Sequence, residues 1–573
     1  MAPWELAAPG ENEPCQSLHP VKTSPAFFRP RHLAAFVVSI AAASASPQIL
    51  AEESADVIVY GATSGGITAA VEAARQKKSV LLIAPSKRIG GLTSGGLGWT
   101  DVGKPKVVGG LSREFFQRVW KLYTAPEAWR FERREAYLHK PGQHIPRAID
   151  EENRVMWTFE PSVAEKVFQE MITEAGVQVV HSRLDLQTGI HKEGARITAI
   201  RMEDGRMFRA SCFIDATYEG DLMAKAGVTY AVGRESNSLY NETLNGIQVG
   251  RALKHWRPEW RIDPYRIPGT PSSGLLPGIN PGPGGEDGTG DKRVQAYCYR
   301  MTLTDVPKNR VPFTKPEGYN ESDYELLFRS IEAGQDRFFA VSRMPNGKTD
   351  SNTTGSVSTD FIGMSDAYPE ADYAARERIA KAHENWQRGL MWTLQNHPRV
   401  PEALRKQCSV WGLPKDEFAE NANWSTELYV REARRMVGET VETERSLLNA
   451  GLRKRSIGMG IYTIDSHYVQ RFVNAEGLVF NEGTIGAGIP KAYAIDYGAI
   501  VPKAAECENL LVPVAMSASH VAYGSIRMEP VFMILGHSAG AAAALAIDEK
   551  VPVQKISYQT LRARLLEAGQ VLE

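Results

Sequence analysis

This chain has little that would commit it to a special partner or a covalent scaffold. Its five cysteines, Cys15, Cys212, Cys298, Cys408 and Cys507, are scattered and form no CxxC pair. That argues against a thiolate metal site and against dithiol chemistry, so no metal is expected, and the cysteines read as small buried hydrophobes. A formal net charge of −1 over 573 residues, with no basic stripe, gives no electrostatic reason to expect nucleic acid or an anionic membrane surface. No internal repeat is visible. The apolar run at residues 33–44 is too short for a permanent membrane anchor, and no integral membrane segment is expected in the mature chain. It follows Arg29, Arg31 and His32 and precedes Ala43-Ser44-Ala45, the pattern of a secretory signal peptide, although Pro30 rules out a twin arginine. The expectation is a leader over residues 1–54, cleavage near Ser46 and an exported product, periplasmic or secreted.

What the chain does have is a βαβ opening at residues 56–100. Val57 to Tyr60 is an apolar run of strand length, Ile67, Ala70, Val71 and Ala74 recur at helical spacing, and Val80 to Ile83 is apolar again. The turn between them is Gly61-Ala62-Thr63-Ser64-Gly65-Gly66, a dinucleotide fingerprint with Thr63 in place of its middle glycine. Gly61 allows the sharp turn and Gly66 the close packing of helix on sheet. Thr63 offers a hydroxyl where backbone normally approaches phosphate. The free N–H groups at the helix start favour a pyrophosphate. Ala84 ends the second strand where an acidic residue usually meets the ribose, which leaves Ser86 or Lys87 to substitute.

Further on, Ser112 is expected to cap a helix to Trp120, and a second helix follows Glu160-Pro161. A strand at Val177 to Val180 then precedes a β-meander that ends in Phe213-Ile-Asp-Ala216-Thr217-Tyr218. Residues 240–480 differ in texture, with Gly/Pro-rich linkers, many tryptophans and a long amphipathic stretch at 370–398. The expected organisation is therefore an α/β fold: a discontinuous Rossmann-type dinucleotide domain with a β-meander, at 55–239 and 481–573, and an inserted α+β substrate domain at 240–480. Within the insertion, Arg431 and Arg434 offer forks suited to anionic or hydroxylated ligands. Asp465 and His467 stand two apart, on one face if the segment is a strand. The chain returns through an expected strand at 509–514, a loop at 516–530 and a small-residue helix from Val531.

The blocks GATSGG, GGLTSGGLGWTD, FIDATYEGDL, LYVREARRMVG, IDSHYVQR and SASHVAYGSIRMEPVFMILGHSAG closely resemble the bacterial FAD-dependent oxidoreductase family, flavoproteins of the glutathione-reductase type. The resemblance covers about residues 55–550. It implies non-covalent FAD held by Gly61, Thr63, Ser64, Gly65 and Gly66, with Ser86 and Lys87 at the ribose. It also implies contacts from the loop Gly90, Gly91, Leu92, Thr93, Ser94, Gly95 and Gly96, and from Val180 beside adenine. Ala216, Thr217 and Asp221 return the chain to the cofactor, with Tyr218 replacing the glycine of an Ala-Thr-Gly signature. Ser525, Arg527, Met528, Glu529 and Pro530 bring a helix N-terminus toward the flavin, where it would stabilise negative charge.

No second fingerprint exists, so nothing suggests a separate NAD(P)H domain, and electrons are expected to come from the organic substrate. The leading expectation is hydride transfer from a small hydroxylated molecule, a sugar, polyol or hydroxy acid, to flavin N5, with the electron acceptor unknown. The alternatives are a redox-neutral elimination or isomerisation, and a non-enzymatic ligand carrier on the same fold. By analogy with the fumarate-reductase type of flavoprotein, His520 is the expected base and Arg527 the orienting cation. His467 with Asp465 is the second choice of base, and Arg431, Arg434 and Tyr523 are expected substrate contacts.

Overall fold

The structure is a computed structural model that describes residues 53–139, 149–251, 260–448 and 454–573. The expected leader and its cleavage point lie outside these residues, except for Glu53 and Ser54, which already belong to the first strand, β1 (Glu53–Tyr60). Next come α1 (Ser64–Arg75), β2 (Val80–Ala84), α2 (Leu92–Gly95), α3 (Gly110–Leu122), α4 (Pro161–Ala175) and β3 (Gln178–His181). The meander is β4 (Ile190–Glu193), β5 (Arg196–Arg201) and β6 (Met207–Asp215).

These strands form a seven-stranded sheet in the order β3-β2-β1-β6-β5-β4, with the short strand Leu510–Leu511 pairing β6. β3, β2, β1, β6 and Leu510–Leu511 run parallel, while the β4–β5 and β5–β6 pairs of the meander are antiparallel. Val57 to Tyr60 and Val80 to Ala84 are buried throughout, as expected of central parallel strands covered on both faces. The return strand is shorter than its apolar run at 509–514 suggests. Pro513 has no N–H to give to a ladder and ends it.

The chain then differs from expectation in a second way. Residues 516–530 are not a loop: Ser519 caps a helix, α6 (His520–Ile526), by accepting from the Ala522 N–H, and α7 (Glu529–Glu549) follows at once. Ser112 is likewise not a cap. Gly109 caps α3, and the Ser112 hydroxyl donates to the Pro530 carbonyl at 3.0 Å. α7 is long and apolar enough to cross a membrane, yet 94% of its apolar window is buried in the protein core. It packs on α1 through glycine: a Cβ on Gly536 would lie 2.0 Å from the Gly65 carbonyl oxygen, and one on Gly540 2.3 Å from that of Ala69.

The inserted region contains the expected amphipathic helix, α5 (Tyr373–Asn396), whose N-cap is Asp372. It is tied to the Rossmann part by strand pairs that cross both expected boundaries. Tyr230–Val232 pairs with Arg434–Met436, and Ser456–Gly460 pairs with Tyr493–Asp496. All the described residues fall in one compact unit.

Candidate active site

A cleft of about 200 Å³ opens at the C-terminal ends of β1 and β2, lined among others by Gly61, Thr63, Ser86, Gly91, Thr217 and Tyr218. Ligands of open α/β sheets bind at this end of the strands, beside a helix N-terminus. Gly61 (φ +105°) and Gly91 (φ +54°) hold left-handed backbone, and a Cβ on either would meet Ala216 backbone at 2.7 Å or the Tyr218 hydroxyl at 2.5 Å. Gly66 is tighter still, since its Cβ would lie 1.8 Å from the Gly61 carbonyl oxygen. The glycine cradle at the α1 N-terminus fits the diphosphate of FAD.

The hydroxyls around that cradle are committed to the protein. Thr63 caps α1 by accepting from the Gly66 N–H at 3.1 Å and donates to the Ala216 carbonyl at 2.7 Å. Ser64 and Thr93 each donate to Glu529 Oε2 at 2.6 Å, and Tyr218 donates to its Oε1 at 2.8 Å. Burial raises the Glu529 pKa, and the three hydroxyl donors oppose the rise. Ser94 donates to the Ile89 carbonyl, Ser86 to that of Arg88 and Ser525 to that of Tyr462, while Thr217 donates to Asp215. The sequence departure at Tyr218 also finds its reason, because its hydroxyl accepts from the Leu92 N–H at 2.9 Å and fills the space that Gly91 leaves open.

Two carboxylates in the cleft follow different rules. Asp221 is gripped by Arg376 at 2.6 and 2.9 Å and by Arg434 at 2.8 Å. Among the described residues Glu427 has no such cation, and burial, with the Glu219 and Glu529 charges, raises its pKa to about 8.

The expected catalytic residues separate into two groups. His520 is wholly enclosed: its Nδ1 lies 2.7 Å from Glu432 Oε2 and its Nε2 is 3.5 Å from Ser466 Oγ. Burial would raise the Glu432 pKa, but the His520 and Arg435 charges bring it to about 2. Arg434 spans Asp221 and Glu370, and the Tyr523 hydroxyl donates to the Val514 carbonyl at 3.0 Å. Both are internal ties.

The second group is a continuous polar chain. Arg527 donates to the Tyr429 hydroxyl at 2.6 Å and to the Asp465 carbonyl at 3.0 Å, and its Nη2 is 3.3 Å from Asp465 Oδ2. That carboxylate faces His467 Nε2 at 3.5 Å, and His467 Nδ1 lies 2.6 Å from Asp360 Oδ2. Asp360 Oδ1 is 3.1 Å from Arg431. Burial opposes the Asp360 charge, yet Arg431 and His467 hold its pKa at about 2. The side chains of His467 and Asp465 keep 10% and 13% exposure, whereas that of His520 keeps 1%. The guanidinium groups of Arg300, Arg431 and Arg527 lie 5.6, 4.5 and 5.6 Å from the Tyr429 ring centre. Sequence reasoning did not select Asp360, Tyr429, Glu432 or Arg300, because none stands at a motif spacing from its partners.

Among solved structures, similar chains include L-proline dehydrogenase from P. horikoshii (17% identity, TM-score 0.22), covering 32% of this chain and 59% of that one. L-amino acid deaminase from Proteus vulgaris (16%, TM-score 0.22) covers 33% and 54%. A 3-ketosteroid-delta4-(5alpha)-dehydrogenase from Rhodococcus jostii RHA1 (19%, TM-score 0.19) covers 32% and 50%. The matches thus span little more than half of those chains and assign no activity here. No curated protein matches. The family profile described as FAD dependent oxidoreductase, however, matches residues 56–565, nearly the whole described chain and both elements of the cleft. The protein belongs to the FAD-dependent oxidoreductase family.

Proposed function

We propose that the enzyme oxidises a C–H bond beside a hydroxyl on a small organic substrate, a sugar, polyol or hydroxy acid, and that His467 is the proton acceptor. Bound FAD, held without a covalent bond, supplies the hydride acceptor at N5. The substrate loses a hydride from carbon and a proton from oxygen, leaving a carbonyl. The proton goes to His467 Nε2.

The observation that carries this reading is the orientation of His467. Its Nδ1 is fixed on buried Asp360 at 2.6 Å, while Nε2 faces Asp465 at 3.5 Å, and the side chain as a whole keeps 10% exposure. A carboxylate behind an imidazole fixes its tautomer and supports the charge it acquires. Arg527 and Tyr429 then supply donors for a substrate oxygen. His520 has the same kind of carboxylate partner but no opening for a substrate.

The test is anaerobic reduction of the flavin, screened across sugars, polyols and hydroxy acids. Substrate-driven bleaching in the wild type, slowed in His467→Gln with full flavin content, supports the reading. Bleaching at the wild-type rate in that variant removes His467 from the chemistry.

A further inference from the structure

A second cavity, of about 400 Å³, lies in the inserted region and shares no lining residue with the dinucleotide cleft. Small-molecule sites fall in this size range, roughly 300–1,000 Å³. One wall is a series of nearly parallel rings. Phe361 stacks on Trp386 at 5.0 Å and 2°, Trp386 on Tyr324 at 5.1 Å and 4°, and Tyr324 on Tyr319 at 5.0 Å and 8°.

Four charged residues also line it, Asp360 and Arg471, both buried, and Glu317 and Asp323, both exposed. Asp360 is already neutralised by Arg431 and His467. Arg471 is not. Only 7% of it is exposed, its Nε donates to Asn481 Oδ1 at 2.8 Å and its Nη2 to the Ser356 carbonyl at 2.9 Å, both neutral acceptors. Among the described residues no carboxylate forms an ion pair with it. Burial lowers its pKa only to about 10, so the guanidinium stays charged at neutral pH. A buried cation without a counter-charge is costly, and an anion that enters the cavity would relieve that cost. At the same time Glu317 and Asp323 are exposed lining residues of the same cavity and disfavour a second negative charge on the ligand.

We propose that this cavity binds a ring-bearing monocarboxylate, with its carboxylate on Arg471 and its ring along the wall formed by Phe361, Trp386, Tyr324 and Tyr319. Both an arene and a pyranose ring suit a stacked aromatic wall. Because Asp360 lines the cavity and also holds His467, the ligand would sit beside the proposed base; that link, though not the binding itself, rests on the function proposed above.

The experiment measures binding to the holoprotein by calorimetry and by quenching of tryptophan fluorescence. Glucuronate and phenylacetate are the probes, with glucose and phenylacetamide as their neutral counterparts. The acids should bind roughly tenfold or more tighter than the neutral partners, and Arg471→Gln should abolish that preference with flavin absorbance unchanged. Comparing the two acids tells a sugar ring from an arene. Equal binding of acid and neutral partner, or no saturation by either acid up to ~10 mM, overturns the proposal. Should Arg471→Gln fail to fold, the acid-to-neutral ratio in the wild type still decides, and Trp386→Leu should weaken both acids. If the acids bind without bleaching the flavin, the site stands and substrate oxidation must be sought with other compounds. If polyols bleach the flavin and no acid binds, the site fails and the oxidation reading stands.

Discussion

The Nδ1 of His467 lies 2.6 Å from the buried carboxylate of Asp360, a residue 107 positions earlier in the chain. His520 has a carboxylate partner of the same kind in Glu432, so what separates the two imidazoles is exposure: the His467 side chain keeps 10% and that of His520 1%.

His467→Gln should slow substrate-driven flavin reduction by about 10²–10⁴-fold, the usual contribution of a positioned general base. His520→Gln should leave that rate near the wild-type value in folded protein. It should instead lower stability, by up to about 3–5 kcal/mol, because Glu432 loses a partner in the buried interior. Stopped-flow reduction and thermal unfolding of both variants check this, and the reverse assignment of effects would return His520 to the chemistry.

Acid should destabilise the protein through Asp360 and Glu432, both held at about 2 in the folded chain. Both folded pKa values are depressed below those of the unfolded chain, about 3.9 and 4.3. The sites therefore contribute stability above those unfolded values, and it is lost as pH falls toward 2. Asp360→Asn should flatten the acid limb of a stability–pH curve measured by denaturant titration between pH 5 and pH 2. An unchanged limb would mean that Asp360 carries no net charge advantage.

Glu427 behaves in the opposite sense. Its folded pKa is raised to about 8, so the stability it contributes is present below the unfolded value of about 4.3 and is lost as pH rises toward 8. Once ionised it also repels a diphosphate in the cleft. Glu427→Gln should stabilise the apoprotein at pH 8 to 9 and tighten FAD binding there. Fluorescence titration with FAD at two pH values reads the difference, and weaker binding at pH 9 in the variant would count against this role.

Gly66→Val should abolish FAD binding or folding, since the side chain would begin 1.8 Å from the Gly61 carbonyl oxygen. Thr63→Gly, which the fingerprint taken alone suggests would be neutral or favourable, should instead cost about 1 kcal/mol, a small part from the α1 cap and the larger part from the lost bond to Ala216. Thr63→Ser should restore most of that. Flavin content and melting temperature measure both effects.

The βαβ opening, the meander, the long helix α5 and the C-terminal return of the chain were all legible in the sequence. Strand and helix periods, caps and glycine turns are local properties, and local spacing reports them directly. The family, too, is written in contiguous blocks of the chain. Other features have no local signature. Whether Thr63 meets phosphate or caps a helix depends on the Ala216 carbonyl, supplied by the residue just after β6, 153 positions away. Whether Arg434 binds substrate or Asp221 depends on the fold bringing residues 213 apart into contact. The choice between His520 and His467 needs the depth of burial and the partner at each ring nitrogen. Those are set by Glu432, Asp360 and Arg527, which only the packed tertiary structure brings to the same place.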